Sequence, residues 1–488
     1  MGAVPGPERP RVLVAGAGLA GLAAALEALE EGAAVTLLSR APAARGPGSA
    51  FRGALNAAEG DVASHVADAL AWGGPGADAE GILRRAKAAL ALVGWLSRAG
   101  VPFDRAGVAH LRHRLPGASE SRALSAGGGM GRMVIHALDA RLRRFEATGL
   151  LERAEGWHLT DLLVRSDGRC AGLAAVHVHS LEARAFPADA VVLATGGAGR
   201  LQRPTACGLE ATGAPLGLAL RAGAPAVDPD LLAWEAAVPG PDKDLPVPPL
   251  LVAAGAVRTD TALDLRGLAK PALKRWGGVF PRLAGAFTGR NPLGETLPLR
   301  RSVVGTLGGL KVDERMATGL PGLWAAGEAA WGGFGQAALP GDELLAWLLQ
   351  GREAGRRAAR CEPAPADGAL LDAAAAALRH RIQDHLGRVH AAPVTGAWHA
   401  LAEVLEESRR PGADLRTLDA ALARLEEGPV RPVDHLHHAN ASLLEALDLP
   451  AAVAWARAGL AALKLRAQAP GAVEVAASGD AFRAEVRP

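Results

Sequence analysis

Apolar residues fall along this chain at two spacings, and the switches between them predict the elements. RVLVA (residues 11–15) is a continuous apolar run ending in glycine, which predicts a strand buried on both faces. GLAAALEALEEG (21–32) changes to helical periodicity and stops at Gly32, a residue suited to ending a helix. AAVTLLS (33–39) is a second apolar strand. Strand, helix and strand in this order predict a βαβ unit with parallel, right-handed pairing. Helical spacing returns over 61–100 and 131–147. VHVHSLEARAF (176–186) alternates like one half-buried strand, and DAVVLATGG (189–197) is a buried strand running into a glycine turn. Proline and glycine break up 235–300, which predicts a small separate module. Residues 309–328 return to strand and turn, 342–468 are mostly helical, and the tail after 468 is expected to be loose.

Three glycine turns in this frame carry chemistry. Gly16-Ala17-Gly18-Leu19-Ala20-Gly21 lies between the first strand and the first helix. In such a turn the first glycine allows the bend, the second lets backbone approach a pyrophosphate, and the third lets helix and strand pack closely. The helix start adds free N–H groups and partial positive charge. The acid that usually grips a ribose at the end of the second strand is absent; Ser39-Arg40 stands there. The second turn is Ala194-Thr195-Gly196-Gly197, and the third is Gly327-Glu328, where an acid at a strand end can accept a ribityl hydroxyl. Each turn alone also fits an ordinary strand-to-loop bend. The three in this order are far more specific.

The sequence resembles the flavoprotein subunits of succinate dehydrogenase and fumarate reductase, a family that includes L-aspartate oxidase, with the branch found in Bacillus-type complexes. The stretches that carry the likeness are GAGLAGLAAALEALEEG (16–32), GALNAAEGD (53–61), ALDARLRRFEATGLLERAEGW (137–157), DAVVLATGGAGRL (189–201), LALRAGAPAVD (218–228), TLGGLKVD (306–313) and LPGLWAAGEAA (320–330). They span residues 10–350; the helical remainder matches weakly. The resemblance implies FAD and an α/β, Rossmann-like two-dinucleotide-binding-domain FAD fold with an inserted small capping module and a C-terminal helical domain. A serine at the Ser39 position is ordinary in that family. The implied divisions are an FAD-binding domain at 1–234 and 302–360, a reduced capping module at 235–301, a helical domain at 361–470 and a tail at 471–488. By the same likeness the backbone near Leu344 and Leu345 supports the N1–O2 edge of the flavin.

The family's dicarboxylate residues do not carry over. Two carboxylates leaving water need cationic donors, and bidentate arginine suits them best. Where the family has His-Pro-Thr this chain has Trp234-Glu235-Ala236. Val304 and Gly305 stand for the His and Tyr of a His-Tyr-Thr-Met-Gly-Gly segment, and Phe334 to Leu339 replace His-Gly-Ala-Asn-Arg-Leu, so that Ala338 takes the place of the arginine. AVRTDTALDLRGL (256–268) is read as passing straight across the segment that carries the proton-delivering arginine, and the loop before GALN is shortened to GPGSAFR (46–52). The helix start Gly341-Asp342-Glu343 reads as Asp342 capping with Glu343 in the first turn, which fills the dipole that would support a reduced flavin. A lowered flavin potential, or a redox-silent FAD, is the expectation.

Composition narrows the partners. Net charge is +2, too small to argue for nucleic acid or an anionic membrane as the main partner, so no nucleic-acid partner is expected, and three scattered cysteines without a CxxC argue against a disulfide framework or a cluster in this chain. MGAVPGPERP lacks a signal pattern and no apolar run is read as reaching a membrane span, so the expected location is cytoplasmic or peripheral on the inner face of the cell membrane. Asp434-His435-Leu436-His437-His438 is read as a solvated or subunit-facing cluster rather than a metal site, and Arg300-Arg301 as the best surviving cations, more often a surface pair. Trp234 and Trp331 are placed over the flavin. Three functions stay open: the FAD subunit of an electron-transfer complex with an iron–sulfur subunit and a membrane cytochrome subunit, a stand-alone FAD oxidoreductase, and a structural paralogue without activity.

Overall fold

The computed structural model describes residues 9–45, 53–241, 243–266, 268, 280, 284–285, 288–469, 471–478 and 481–486. GPGSAFR therefore lies outside the described residues. In chain order the elements used below are β1 (Arg11–Ala15), α1 (Leu19–Glu30), β2 (Ala34–Ser39), α2 (Ala63–Gly73), α3 (Ala79–Ala99), α4 (Met130–Glu146), β3 (Leu151–Glu155), β4 (Trp157–Val164), β5 (Cys170–His177), β6 (Ala183–Pro187), β7 (Ala190–Leu193), α5 (Ala214–Arg221), β8 (Ala226–Val227), β9 (Leu232–Val238), β10 (Arg300–Thr306), β11 (Gly309–Leu310), β12 (Leu323–Ala325), α6 (Asp342–Ala358), α7 (Gly368–Gly387), α8 (Val394–Glu407), α9 (Leu415–Glu427), α10 (Ala441–Arg466), β13 (Val473–Ser478) and β14 (Ala481–Val486).

A parallel five-stranded sheet in the order β12-β7-β1-β2-β3 forms the centre. β1 and β7 are sealed on both faces, which is why their sequences read as unbroken apolar runs. α1 covers one side and packs on α6 at backbone distance. A Cβ on Gly351 would lie 2.3 Å from the Ala20 carbonyl, and one on Gly355 2.1 Å from that of Ala24. Glu27, buried on α1, is held by Arg352 (2.8 Å) and Arg356 of α6, so the contact is charge-locked as well. The mixed fold with its helical C-terminal part is the expected class.

Several local expectations change. Residues 176–186 are the end of β5, a reversal through Leu181 at φ +58°, and β6; β4, β5 and β6 form an antiparallel sheet. The alternation continued through the turn and hid it. Residues 256–268 do not run straight, since Val257–Arg258 and Ala262–Asp264 pair as a hairpin. The hairpin packs in a small core with Leu250, Leu251, Phe280 and Leu297, beside the β9–β10 ladder.

The described part of the tail, residues 471–478 and 481–486, is ordered. β13 and β14 pair as a hairpin, and β13 adds to β8 and β11 with Val473 and Val475 fully buried. One ionic hub fixes it. Arg466 at the end of α10 meets Asp228 at 2.7 Å and Asp230 at 2.8 Å, while Asp228 also accepts from the Val473 amide (2.7 Å) and from Trp331 Nε1 (3.0 Å). Trp331 is thereby tied to this hub. Among the described residues one helix, α10, is long and apolar enough to cross a membrane, against the expectation that no run was; two-thirds of its most apolar window is buried inside the protein, as a core helix requires. Arg466→Met strands two buried carboxylates, so we expect it to remove about 3 kcal/mol of stability. Arg410→Met, in exposed pairs with Glu406 and Glu407, is expected to cost under ~1 kcal/mol. Thermal unfolding of the two variants checks this, and equal midpoints would contradict it.

Candidate functional site

The first turn works by excluding side chains. Gly16 sits at φ +114°, donates to the Leu38 carbonyl (2.8 Å), and a Cβ there would lie 2.1 Å from the Ala194 oxygen. A Cβ on Gly21 would meet the Gly16 oxygen at 1.7 Å. Gly18 differs, because its Cβ would meet nothing within 4 Å. Gly18 caps α1 without a side-chain bond, and the first bond inside the helix is Leu22 N–H to the Gly18 carbonyl at 2.9 Å. The amides ahead of it, at Leu19 and Ala20, are the ones an anion can claim.

The other predicted residues gather around this turn. Ser39 is buried at the end of β2 with its Oγ unpartnered, and Arg40 follows, half-buried. Ala194 touches the first turn, Thr195 Oγ1 is buried without a partner, and Gly196 (φ +81°) faces open space. Gly327 (φ +72°) lies against Ala20, its Cβ position 2.7 Å from that of the alanine. Gly197 lies against Glu328, whose Oε1 would be 2.3 Å from a Cβ there. Leu344 and Leu345 are buried in the first turn of α6. The three turns thus meet at one point.

Two acids here have partners within the protein, and one of them departs from expectation. Glu328 does stand after β12, but its Oε1 accepts from the Thr306 amide (2.7 Å) and hydroxyl (3.1 Å), and burial raises its pKa. Asp342 does not cap α6. Gly341, at φ +98°, is the N-cap residue and makes no side-chain bond. Its left-handed turn carries Asp342 into the helix, where the carboxylate accepts from Asn56 Nδ2 (2.8 Å) and sits 2.7 Å from His65 Nε2. Asn56 Oδ1 and His65 Nδ1 remain buried without partners. This Asn56–His65–Asp342 group was missed by sequence reasoning. Its members come from three segments, and no spacing signals it.

Carboxylates also collect on the ligand side. Glu343 is pushed up to about 8 by burial, then by the charges of Glu235, Glu328 and Asp342. Glu235 is pushed up to about 7 by burial, with Arg258 pulling the other way. Glu235 pairs with Ser302 across the β9–β10 ladder, so both side chains leave the same face. A bulge follows, after which Ala233 pairs with Gly305, and Gly305 faces Glu328 with 3.0 Å between its Cβ position and Oε1. Trp234 is on the other face, under the Arg301 guanidinium at 5.3 Å. Arg300 is taken by Asp244 at 2.7 and 2.8 Å. A further cation unforeseen in the sequence, Arg85, lies 5.2 Å over the Phe334 ring; its Nη2 is buried and unpartnered, and burial lowers its pKa.

The model of an FAD binding domain matches residues 11–239. The chain is 27% identical to the succinate dehydrogenase flavoprotein subunit of Bacillus subtilis, over 72% of this chain and 69% of that protein. It is 32% identical to the L-aspartate oxidase of Caulobacter vibrioides, over 85% of this chain and 91% of that one. The chain belongs to the flavoprotein family of succinate dehydrogenase, fumarate reductase and L-aspartate oxidase. Its fold superposes on E. coli quinol fumarate reductase FrdA with a TM-score of 0.86, at 23% identity, covering 98% of this chain and 96% of that one. The flavoprotein's cofactor is FAD. The residues present fit it: an open backbone at Gly18 and orphaned hydroxyls at Ser39 and Thr195 are what a dinucleotide in that groove would satisfy.

Two predictions follow from this geometry. Gly18→Ala fits the backbone (φ −81°), so we expect stability within ~0.5 kcal/mol of the parent. FAD affinity is expected to fall roughly tenfold or more as the methyl meets the pyrophosphate. FAD titration of the apoprotein checks both, and unchanged affinity would contradict the placement. The second concerns Glu343. Its folded pKa is raised, so the folded protein holds the proton more tightly than the unfolded chain does. Its stabilising effect is therefore full below about 4.5 and is lost as pH rises towards about 8. Glu343→Gln is expected to flatten the decline of thermal midpoint across that window, and parallel pH profiles would refute it.

Proposed function

We propose that this flavoprotein holds FAD in an electron-transfer complex of the family's type but no longer binds succinate or fumarate. Gly16, Gly18, Leu19, Ala20 and Gly21 would hold the pyrophosphate, Ser39 and Arg40 the adenosine ribose, and Ala194 to Gly197 with Gly327 and Glu328 the ribityl side. The Leu344 and Leu345 amides would support the flavin's N1–O2 edge. FAD, when bound, supplies two-electron acceptor chemistry. The chain's own contribution is to position the cofactor on backbone groups, which demands little of side chains.

The observation that carries the loss of dicarboxylate binding is the charge of the ligand side. Glu235 stands in the family's His-Pro-Thr segment, and Glu343 and Glu328 act on the same space. Two substrate carboxylates would leave water without the paired cationic donors they need and would push Glu235 and Glu343 further towards their protonated forms. Where these acids are ionised, above about pH 8 for Glu343, they oppose negative charge on a reduced flavin, which supports a potential below that of free flavin there. An iron–sulfur subunit and a membrane cytochrome subunit are the proposed partners, with this chain on the cytoplasmic face; solved relatives are parts of quinol-linked complexes.

We expect malonate, succinate and fumarate at millimolar concentration to leave the absorbance of the FAD-loaded protein unchanged. We also expect no succinate-dependent dye reduction, and a midpoint potential below that of free FAD above about pH 8. A saturable difference spectrum with malonate would overturn this reading.

A further inference from the structure

A cavity lies apart from the cofactor groove, where the end of α8 meets α10 and the start of β9. It measures about 30 Å³, room for roughly two water-sized groups. None of the residues assigned above to FAD lines it. Its inner wall is apolar, with Leu405, Trp455 and Leu460 all buried. Donors collect on the other side. Arg409, just after α8, stands at the solvent-exposed rim and is in no ion pair among the described residues. Its Nε donates to Gln202 Oε1 at 3.2 Å and its Nη2 to the Asp230 carbonyl at 3.5 Å, two neutral oxygens that leave its charge uncompensated. The Asp230 carboxylate also borders the cavity, but Arg466 already holds it at 2.8 and 2.9 Å. Gln202 is 6% exposed. Arginine can only donate, so it turns the oxygen of this amide towards itself and the nitrogen away. That Nε2 makes no hydrogen bond among the described residues. A buried N–H without an acceptor is costly, and it marks where an acceptor belongs.

We propose that this cavity binds a short-chain monocarboxylate, its carboxylate on Arg409 and Gln202 and its alkyl body on Leu405, Trp455 and Leu460. The guanidinium and the amide N–H supply charge and hydrogen bonds to one carboxylate. The Ser408 and Thr306 hydroxyls already donate to the Leu405 carbonyl and to Glu328, so a second carboxylate would bury its charge against the apolar wall. Room for roughly two water-sized groups suits an ethyl group, and a much longer chain exceeds it. A halide would satisfy the donors and leave the apolar wall unused.

Equilibrium dialysis of radiolabelled propanoate against the FAD-loaded protein, at constant ionic strength, tests this. Saturable binding is expected, with hexanoate, succinate and chloride competing roughly tenfold or more weakly than unlabelled propanoate. Arg409→Met is expected to weaken binding roughly tenfold or more, as loss of a charged bond implies. Arg410→Met, at the exposed neighbour, is expected to leave it within about twofold. FAD content and thermal midpoint show that each variant is folded, and the competition series on the parent protein stands without them. No saturable binding, equal affinity in Arg409→Met and the parent, or any competitor that matches propanoate overturns the proposal.

Discussion

Bare backbone meeting bare backbone at the head of α1 is the contact on which the rest of the molecule depends. Gly16 presses on the Ala194 carbonyl, Gly21 on Gly16, and Gly351 and Gly355 of α6 on Ala20 and Ala24. Any Cβ at these points would have to displace main chain, which cannot yield as a side-chain tip can. The consequence is geometric. β1, β7 and β12 end at one place because the turns that follow them have nothing between them. The cleft for a dinucleotide is what remains where that packing stops, at Gly18 and Gly196, whose Cβ positions face open space. Glu27, clamped by two arginines of α6, holds the helices in this register.

What could be read in advance follows from how far apart the causes lie in the chain. The three glycine turns and the first βαβ unit were legible because each is caused within a few residues. The reversal near Leu181 was not, since the apolar alternation runs through it. The hairpin after residue 471 was not either. VEVAAS and FRAEV are short, and their order depends on Asp228, more than two hundred residues away, which takes the Val473 amide and the Arg466 guanidinium. Asp342 reads as a cap in the sequence because an acid at a helix start usually is one. The glycine before it, in a left-handed turn, sends its side chain to Asn56 and His65 instead. Arg85 gave no signal, because one arginine on an amphipathic helix reads as surface.

The ligand side obeys a different rule from the cofactor side. It is made of side chains on β9, β10 and the first turn of α6, elements whose backbone path is set elsewhere: by the ladder from Leu232–Thr306 to Ala237–Arg300, and by the α1–α6 contact. Its charge can therefore be rewritten one residue at a time without moving the strands. By the likeness of sequence, Trp234, Val304, Phe334 and Ala338 stand at positions where the family carries histidine or arginine, and Glu235 and Glu343 stand beside them in the chain or on the same elements.

The acids on this side are held at a cost, because a buried carboxylate without a counter-ion is disfavoured. Glu235 and Glu343 are held where burial pushes both towards neutrality, with Glu328 close by and the Ser302 hydroxyl unpartnered beside them. Two raised carboxyls cost the folded protein stability as pH rises, because folding favours the protonated form of each.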